Sequence, residues 1–225
     1  MSEPTYGPAD LAREIAVPRE TAESLETYFA LLADWSTRIN LIGPKELEHF
    51  WKRHALDCAQ LLALAPNARR WLDLGSGAGL PGLIIAIMLK GTDGAEVHLV
   101  EATAKKTRFL QAVVDDLALP AKVFNMRIDD FWAAPARRGE EGAKNANRYD
   151  VVTARALAPL NRLIGYAKPA LDCGAQGLFH KGATLDAELA AAQSALRGGG
   201  LQSDVMESLS DPRGRIIRIR AASQN

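Results

Sequence analysis

Three things are scarce in this chain, and each scarcity narrows its chemistry. Only two of its 225 residues are cysteines, Cys58 and Cys173, far apart and without the spacing of metal ligands. They read as reduced thiols, which excludes a disulfide framework and a zinc site; no metal is expected. No apolar run approaches the roughly 18 residues that a membrane-crossing helix needs. The opening MSEPTYGPAD carries early acids and no apolar core of a secretory leader, so a cytoplasmic protein is expected. Net charge is missing as well, with 27 Lys and Arg against 27 Asp and Glu. A nucleic-acid ligand usually leaves a basic excess. Here the basic residues only gather locally, at Lys52/Arg53/His54, Lys105/Lys106/Arg108 and Arg213/Arg215/Arg218/Arg220. Most such runs are solvated faces, so composition alone decides nothing.

What is present is a globular composition, 48% hydrophobic, at a length that suits one sizeable domain plus an appendage. Residues 1–20 have weak periodicity and are expected as a loose lead-in. From Thr21, the positions Leu25, Tyr28, Phe29, Leu32, Trp35 and Ile39 fall at helical spacing, ended by Asn40 to Pro44. A second helix is expected from about Lys45 to Ala65, carrying Leu47, Phe50, Trp51, His54, Cys58, Leu61 and Leu62 and stopping at Pro66. Beyond it strands and helices alternate. Strands are expected at 71–74, 96–102, 121–126, 149–154 and 175–182, with Pro81 as a first helical residue and Pro169 bending or ending a later helix. A charged surface loop is expected over 133–148. The strands at about 201–208 and 215–221 have only the turn DPRG between them. Alternation means βαβ crossovers and a parallel sheet covered on both faces. The closing hairpin makes the last strand antiparallel. The expected organisation is a lead-in over 1–20, a helical extension over 21–66 and an α/β domain over 67–225.

The loop LDLGSGAGLPG (72–82) follows a strand and opens a helix, where a ligand can reach backbone N–H groups at a positive helix end. It satisfies two patterns: Gly75-x-Gly77-x-Gly79, the S-adenosylmethionine form, and Gly77-x-Gly79-x-x-Gly82, the dinucleotide form. Context separates them. Asp73, just before the loop, suits the ammonium of a methionine moiety and would repel a pyrophosphate. Glu101 closes the second strand, placed for ribose hydroxyls in either case. Asp129 past the third strand suits an adenine amino group, with Ile128 packing on the ring. An acid after each of three strands favours S-adenosylmethionine. With the seven-stranded Rossmann-like sheet, this is the shape of a class I S-adenosylmethionine-dependent methyltransferase with an N-terminal helical extension.

Absences also bear on the methyl acceptor. Neither cysteine sits in the Pro-Cys setting of a cytosine-C5 methylase. The stretch after the fourth strand, TARALAPLN (153–161), lacks the Asn/Asp-Pro-Pro-aromatic element of an exocyclic-amine methylase. Acceptors that need no general base or nucleophile remain, and guanine N7 is one, because its lone pair is free at neutral pH. The enzyme then contributes chiefly alignment. Arg155 and Lys181, at the ends of the fourth and fifth strands, stand on the ligand edge of an open α/β sheet. They are candidate donors to guanine O6, and ion-paired loop residues in the alternative.

Together these segments resemble the bacterial small-subunit rRNA (guanine-N7) methyltransferase G family, also called glucose-inhibited division protein B. The resemblance runs from about Tyr28 onward. It rests on Asn40-Leu41-Ile42, Arg53-His54-x-x-Asp57, LDLGSGAGLPG, VEATAKKTRFL (100–110), Arg155-Ala156 with Leu160-Asn161, and Lys181-Gly182. It implies a class I fold, S-adenosylmethionine, and N7 methylation of one guanine in the decoding-region loop of 16S rRNA. The partner it implies is the small ribosomal subunit or an assembly intermediate; a monomer is expected. By position it implies cofactor contacts at Gly75, Leu80, Glu101, Ile128, Asp129 and Arg155, and RNA contacts at Arg53, His54, Arg127, Lys181 and Arg215. Departures from the family pattern are Ala154 in place of serine, Cys58 after Asp57 in place of serine, His180 in place of an apolar residue, and a longer segment over 133–148. His54 on an apolar helix face is more often a satisfied core histidine than a ligand. A methyltransferase with a protein or small-molecule acceptor, an NAD-binding oxidoreductase and a non-catalytic cofactor-binding module are the competing readings.

Overall fold

Strand β1 (Arg70–Leu74) shows why the sheet forms where it does: Trp71, Leu72, Asp73 and Leu74 are all buried. A strand apolar on both sides must be covered on both sides. In the computed structural model, which describes residues 6–134 and 149–222, β1 lies inside a seven-stranded sheet with β2 (Glu96–Glu101), β3 (Ala121–Asn125), β4 (Val151–Arg155), β5 (Gln176–Lys181), β6 (Leu201–Glu207) and β7 (Arg215–Ala221). The order is β3-β2-β1-β4-β5-β7-β6. The first five strands run parallel, and β7 enters antiparallel between β5 and β6. This is the expected class I methyltransferase sheet. Strand order reverses between β1 and β4, which sets the ligand side at their carboxyl ends.

Successive side chains of a strand point to opposite faces, so Trp71 and Leu72 belong to two separate cores. On the first face, α2 (Arg19–Ser36), α6 (Gly82–Met88) and α7 (Ala104–Asp116) pack with Leu25, Tyr28, Leu32, Phe50 and Phe109. The second face is covered by α8 (Ile128–Ala133), α9 (Leu160–Leu171) and α10 (Leu185–Gly198), with Leu160, Ile164, Phe179 and Leu196. Pro81 is the N-cap of α6 and not its first residue. Helix α9 ends at Leu171, two residues past Pro169.

The N-terminal part departs from expectation in two places. Within the supposed lead-in, Pro8–Glu14 form helix α1, held by Leu11, which is 1% exposed in the first core. The helix expected over 45–65 is broken into α3 (Pro44–Glu48), a π-helical turn at Trp51–Leu56, and short turns α4 (Asp57–Ala59) and α5 (Leu61–Leu64). Donors from the sheet capture carbonyls that a straight helix would use. Arg155 Nη2 donates to the Arg53 carbonyl at 3.0 Å, and His180 Nε2 donates to that of Asp57 at 2.7 Å. From 135 on, the charged loop expected over 133–148 lies outside the described residues. Among the described residues no helix is long and apolar enough to cross a membrane, and no group of three or more His, Cys, Asp or Glu could hold a metal.

Candidate functional site

The glycine loop leaves β1 and doubles back over it before α6 begins. Gly75, Gly77 and Gly79 all have positive φ, at 69°, 56° and 86°, which side-chain-bearing residues adopt at a cost. Their surroundings differ. A Cβ on Gly79 would meet Leu83 at 2.3 Å, and one on Gly75 would meet Leu157 at 2.6 Å. A Cβ on Gly77 would have nothing nearer than the Gly75 carbonyl at 3.7 Å, so the loop presents a cradle there that a side chain would fill.

The loop is held by its own amides. Gly75 and Ser76 donate to the Val100 carbonyl, Gly79 and Leu80 to that of Ser76, and Gly77 to Glu101 Oε2 at 3.0 Å. Among the described residues the Ala78 amide has no acceptor. Glu101 is 8% exposed and also accepts from the Thr103 amide at 2.8 Å. Each carboxylate oxygen keeps a second lone pair, so a ribose diol remains within its capacity. Ile128 and Asp129 begin α8, directly after β3 and Arg127, with Ile128 half-buried and Asp129 exposed.

Asp73 lies near the end of β1, just before the loop, as expected, and its carboxylate is engaged by protein donors. It is 1% exposed, turned beneath the loop, and accepts from the Gly82 amide at 3.1 Å and from Thr153 Oγ1 at 3.1 Å. Burial raises its pKa to about 6 against those hydrogen bonds. Its visible task is to tie the start of α6 to β1 and β4.

Beside the loop, past Leu157, a cavity of about 620 Å³ opens at the carboxyl ends of β4 and β5. It brings Arg53, Arg155, Lys181 and Arg215 together, and adds Asp57, His180, Glu188 and Arg213. Register explains the convergence: Arg155 pairs with His180 across β4–β5, and Lys181 with Arg215 across β5–β7. Arg127 and His54 do not line it. Leu157 touches the Cβ position of Gly75 and also lines the cavity, so loop and cavity are adjacent.

The cations here are largely fixed. Lys181, with 8% of its side chain exposed, donates to Glu188 Oε2 at 2.6 Å and to the Ala158 carbonyl at 2.8 Å. Glu188 also takes the Leu160 amide at 2.8 Å and Thr184 Oγ1 at 3.0 Å. Burial works to raise the Glu188 pKa, but Lys181 and these donors outweigh it and lower it. The pair thus pins the loop after β4, where Ala156 has a φ of 51°. Arg155 turns its guanidinium to the Arg53 carbonyl and to Cys58 Sγ at 3.7 Å, with Asp57 also 3.7 Å away. Arg215 donates to the Pro212 and Gly214 carbonyls, shaping the β6–β7 turn. The Arg53 side chain is 45% exposed, and among the described residues its ion-pair partners are the distant Glu46 at 3.6 Å and Asp211 at 3.9 Å.

His54 is buried, with Nε2 3.1 Å from a Glu46 carboxylate oxygen but without the alignment of a hydrogen bond. Burial, with Arg155 and Arg53 near, depresses its pKa to about 3. Burial therefore favours the neutral imidazole at this position. Cys58 is equally inert, its thiol pushed up to about 12 by burial. The sequence pointed to neither Glu188 nor His180 as part of the site. The only signal was that His180 stands where an apolar residue is usual.

The family model described as rRNA small subunit methyltransferase G matches residues 21–217. Proteins named Ribosomal RNA small subunit methyltransferase G are similar over most of the chain. That of Caulobacter vibrioides is 45% identical over 90% of this chain and 86% of its own. That of Methylobacterium radiotolerans is 44% identical over 98% and 97%. Among solved structures, cofactor-bound Rv0187 from MTB shares the fold at a TM-score of 0.60 and 16% identity, covering 99% of this chain and 100% of that one. The O-methyltransferase TomG from Streptomyces achromogenes does so at 0.57 and 13%, covering 89% and 90%.

Proposed function

The chain belongs to the rRNA small subunit methyltransferase G family, and from that premise we propose that it methylates N7 of one guanine in the decoding-region loop of 16S rRNA. It is an S-adenosylmethionine-dependent methyltransferase of small-subunit rRNA. The observation that carries the finer reading is the adjacency of two features. The cradle at Gly77, closed by Glu101, adjoins through Leu157 a cavity walled by Arg53, Arg155, Lys181 and Arg215.

S-adenosylmethionine, when bound, supplies an electrophilic methyl group on a sulfonium. The residues fit such a group: a glycine loop with room at Gly77, an Ala78 amide without an acceptor among the described residues, and a carboxylate at Glu101. Glu101 would hold the ribose, Ile128 would pack on the adenine and Asp129 would accept from its amino group. Gly75, Gly79 and Leu80 shape the loop. Asp73 acts from beneath, through Gly82 and Thr153.

The guanine enters from the cavity side. N7 attacks with its own lone pair, so no residue has to remove a proton beforehand. This chain's residues orient and exclude water. Arg155 and Lys181 hold the walls at the β4 and β5 ends, and Arg53 and Arg215 stand at the mouth, where O6 or flanking phosphates can meet guanidinium donors. Arg127, outside the cavity, faces solvent on the β3 side and suits a flanking phosphate. Such a role suits a cytoplasmic monomer working on the small subunit or an assembly intermediate.

The test is methyl transfer from labelled S-adenosylmethionine to small subunits lacking the N7 methyl, followed by nucleoside analysis. Labelled 7-methylguanosine from a single position is expected. Label in another nucleoside would overturn the choice of acceptor atom.

A further inference from the structure

The hydroxyl of Tyr28 reaches from α2 across fifty residues of sequence to the Ala78 carbonyl, at 2.7 Å. Ala78 lies between Gly77 and Gly79, in the middle of the glycine loop. The ring has no exposed surface and packs against Phe50 at 5.8 Å and Phe109 at 6.4 Å between centroids. Phe109 belongs to α7, which starts three residues beyond Glu101. The ring is therefore wedged between Phe50, the residue that leads into the π-helical segment, and α7, the helix that follows Glu101.

Around this contact the loop is tightly accounted for. The amides of Gly75, Ser76, Gly77, Gly79 and Leu80 all have protein acceptors, whereas that of Ala78 has none among the described residues. One peptide further on, the carbonyl of the same residue is fixed by Tyr28. A buried phenol with a hydrogen bond aimed at a loop residue whose amide has no acceptor among the described residues is more than core packing requires. A phenylalanine would fill the same space.

We propose that Tyr28 is a positioning residue for S-adenosylmethionine: its hydroxyl holds Ala78 so that the free Ala78 amide donates to the carboxylate of the cofactor's methionine moiety. The N-terminal helical layer thereby takes part in cofactor binding without touching the ligand. This rests on the methyltransferase reading and adds a residue and an amide to it.

Tyr28→Phe in the full chain keeps the ring and removes the bond. Losing one such hydrogen bond should raise the Kd for S-adenosylhomocysteine and the KM for S-adenosylmethionine roughly three- to tenfold, while the KM for the small subunit holds. Amide exchange over residues 76–80 should quicken in the ligand-free variant. A lower melting temperature with unchanged Kd and KM would make Tyr28 a packing residue and overturn the proposal. In the unaltered chain, S-adenosylhomocysteine should protect the Ala78 amide from exchange, and an unprotected Ala78 amide in the complex would overturn it equally, whatever the variant does. Failure of the unaltered chain to bind S-adenosylhomocysteine would instead remove the methyltransferase reading and the proposal with it.

Discussion

At Gly77, backbone and surroundings make separate demands. Its φ of 56° strains any β-branched residue, and the space beside it is open only because no side chain is there. Gly77→Val should therefore leave a folded chain, destabilised by about 1–3 kcal/mol, that no longer binds S-adenosylhomocysteine. Thermal melting and calorimetry read the two effects apart, and normal affinity in the folded variant would take Gly77 out of the site. Gly82 is a contrasting case: a Cβ there meets Leu99 at 2.3 Å and Asp73 at 2.7 Å. Its substitution would disturb the core before it blocked a ligand. Lys181 acts through its partners. Lys181→Ala should spare cofactor affinity and lower methyl transfer, because Glu188 then lies uncompensated and the loop over 156–160 loses its tie at Ala158. In a double-mutant cycle with Glu188→Gln, a coupling of about 1–3 kcal/mol is expected; additive effects would show that the pair is not a unit.

Between elements, the decisive joint is α4, just past the π-helical turn, against the β6–β7 turn. Asp57, 7% exposed, accepts from Ser208 Oγ at 2.7 Å and Gln60 Nε2 at 2.9 Å, and faces Arg155 and His180. Gln60 in turn accepts from the Leu209 amide at 3.0 Å. Removing the carboxylate takes an acceptor from Ser208 and Gln60 and the counter-charge from Arg155, so Asp57→Ala should cost about 3–5 kcal/mol in denaturant unfolding. Ser208→Ala should cost markedly less once Asp57 is gone; an equal cost in both backgrounds would disconnect them. This joint also marks the limit of what local sequence reveals. The alternation of strands and helices, the DPRG turn and the glycine loop are short-range patterns, and they led to the class I sheet with its antiparallel last strand and to S-adenosylmethionine as the cofactor. The break in the 45–65 helix was not legible, since its carbonyls are captured by Arg155 and His180, more than one hundred residues away. Asp73 was legible as an acid beside the loop, but its protein partners Gly82 and Thr153 were not. Helix α1 was missed because a single buried leucine, Leu11, anchors it.

For the molecule as a whole, the N-terminal layer and the sheet meet over buried histidines, and this makes folding stability depend on pH. His54 has an ordinary pKa of 6.5 and falls to about 3 in the fold, through burial first and then Arg155 and Arg53, with Asp57 opposing. His180 is also lowered, chiefly by burial, with Asp57 again opposing. A group whose folded pKa is depressed binds protons more readily when unfolded, so stability is full above 6.5 and declines as pH falls toward 3. At pH 5 the His54 share of that loss amounts to about 2 kcal/mol. Asp73 works in the opposite sense: its pKa rises from 3.8 to about 6 on folding, so it adds stability as pH falls through that window. The net acid limb is therefore shallower than the histidines alone would give. A comparison of the unaltered chain with His54→Phe removes this opposition, because Asp73 is common to both. Between pH 7 and 5 the melting temperature of the unaltered chain should fall by several degrees more than that of the variant, for a domain of this size. Parallel curves would mean that His54 is protonated in the folded state, sharing its proton with Glu46 at 3.1 Å, and that the joint is held by an ion pair and not by a neutral imidazole.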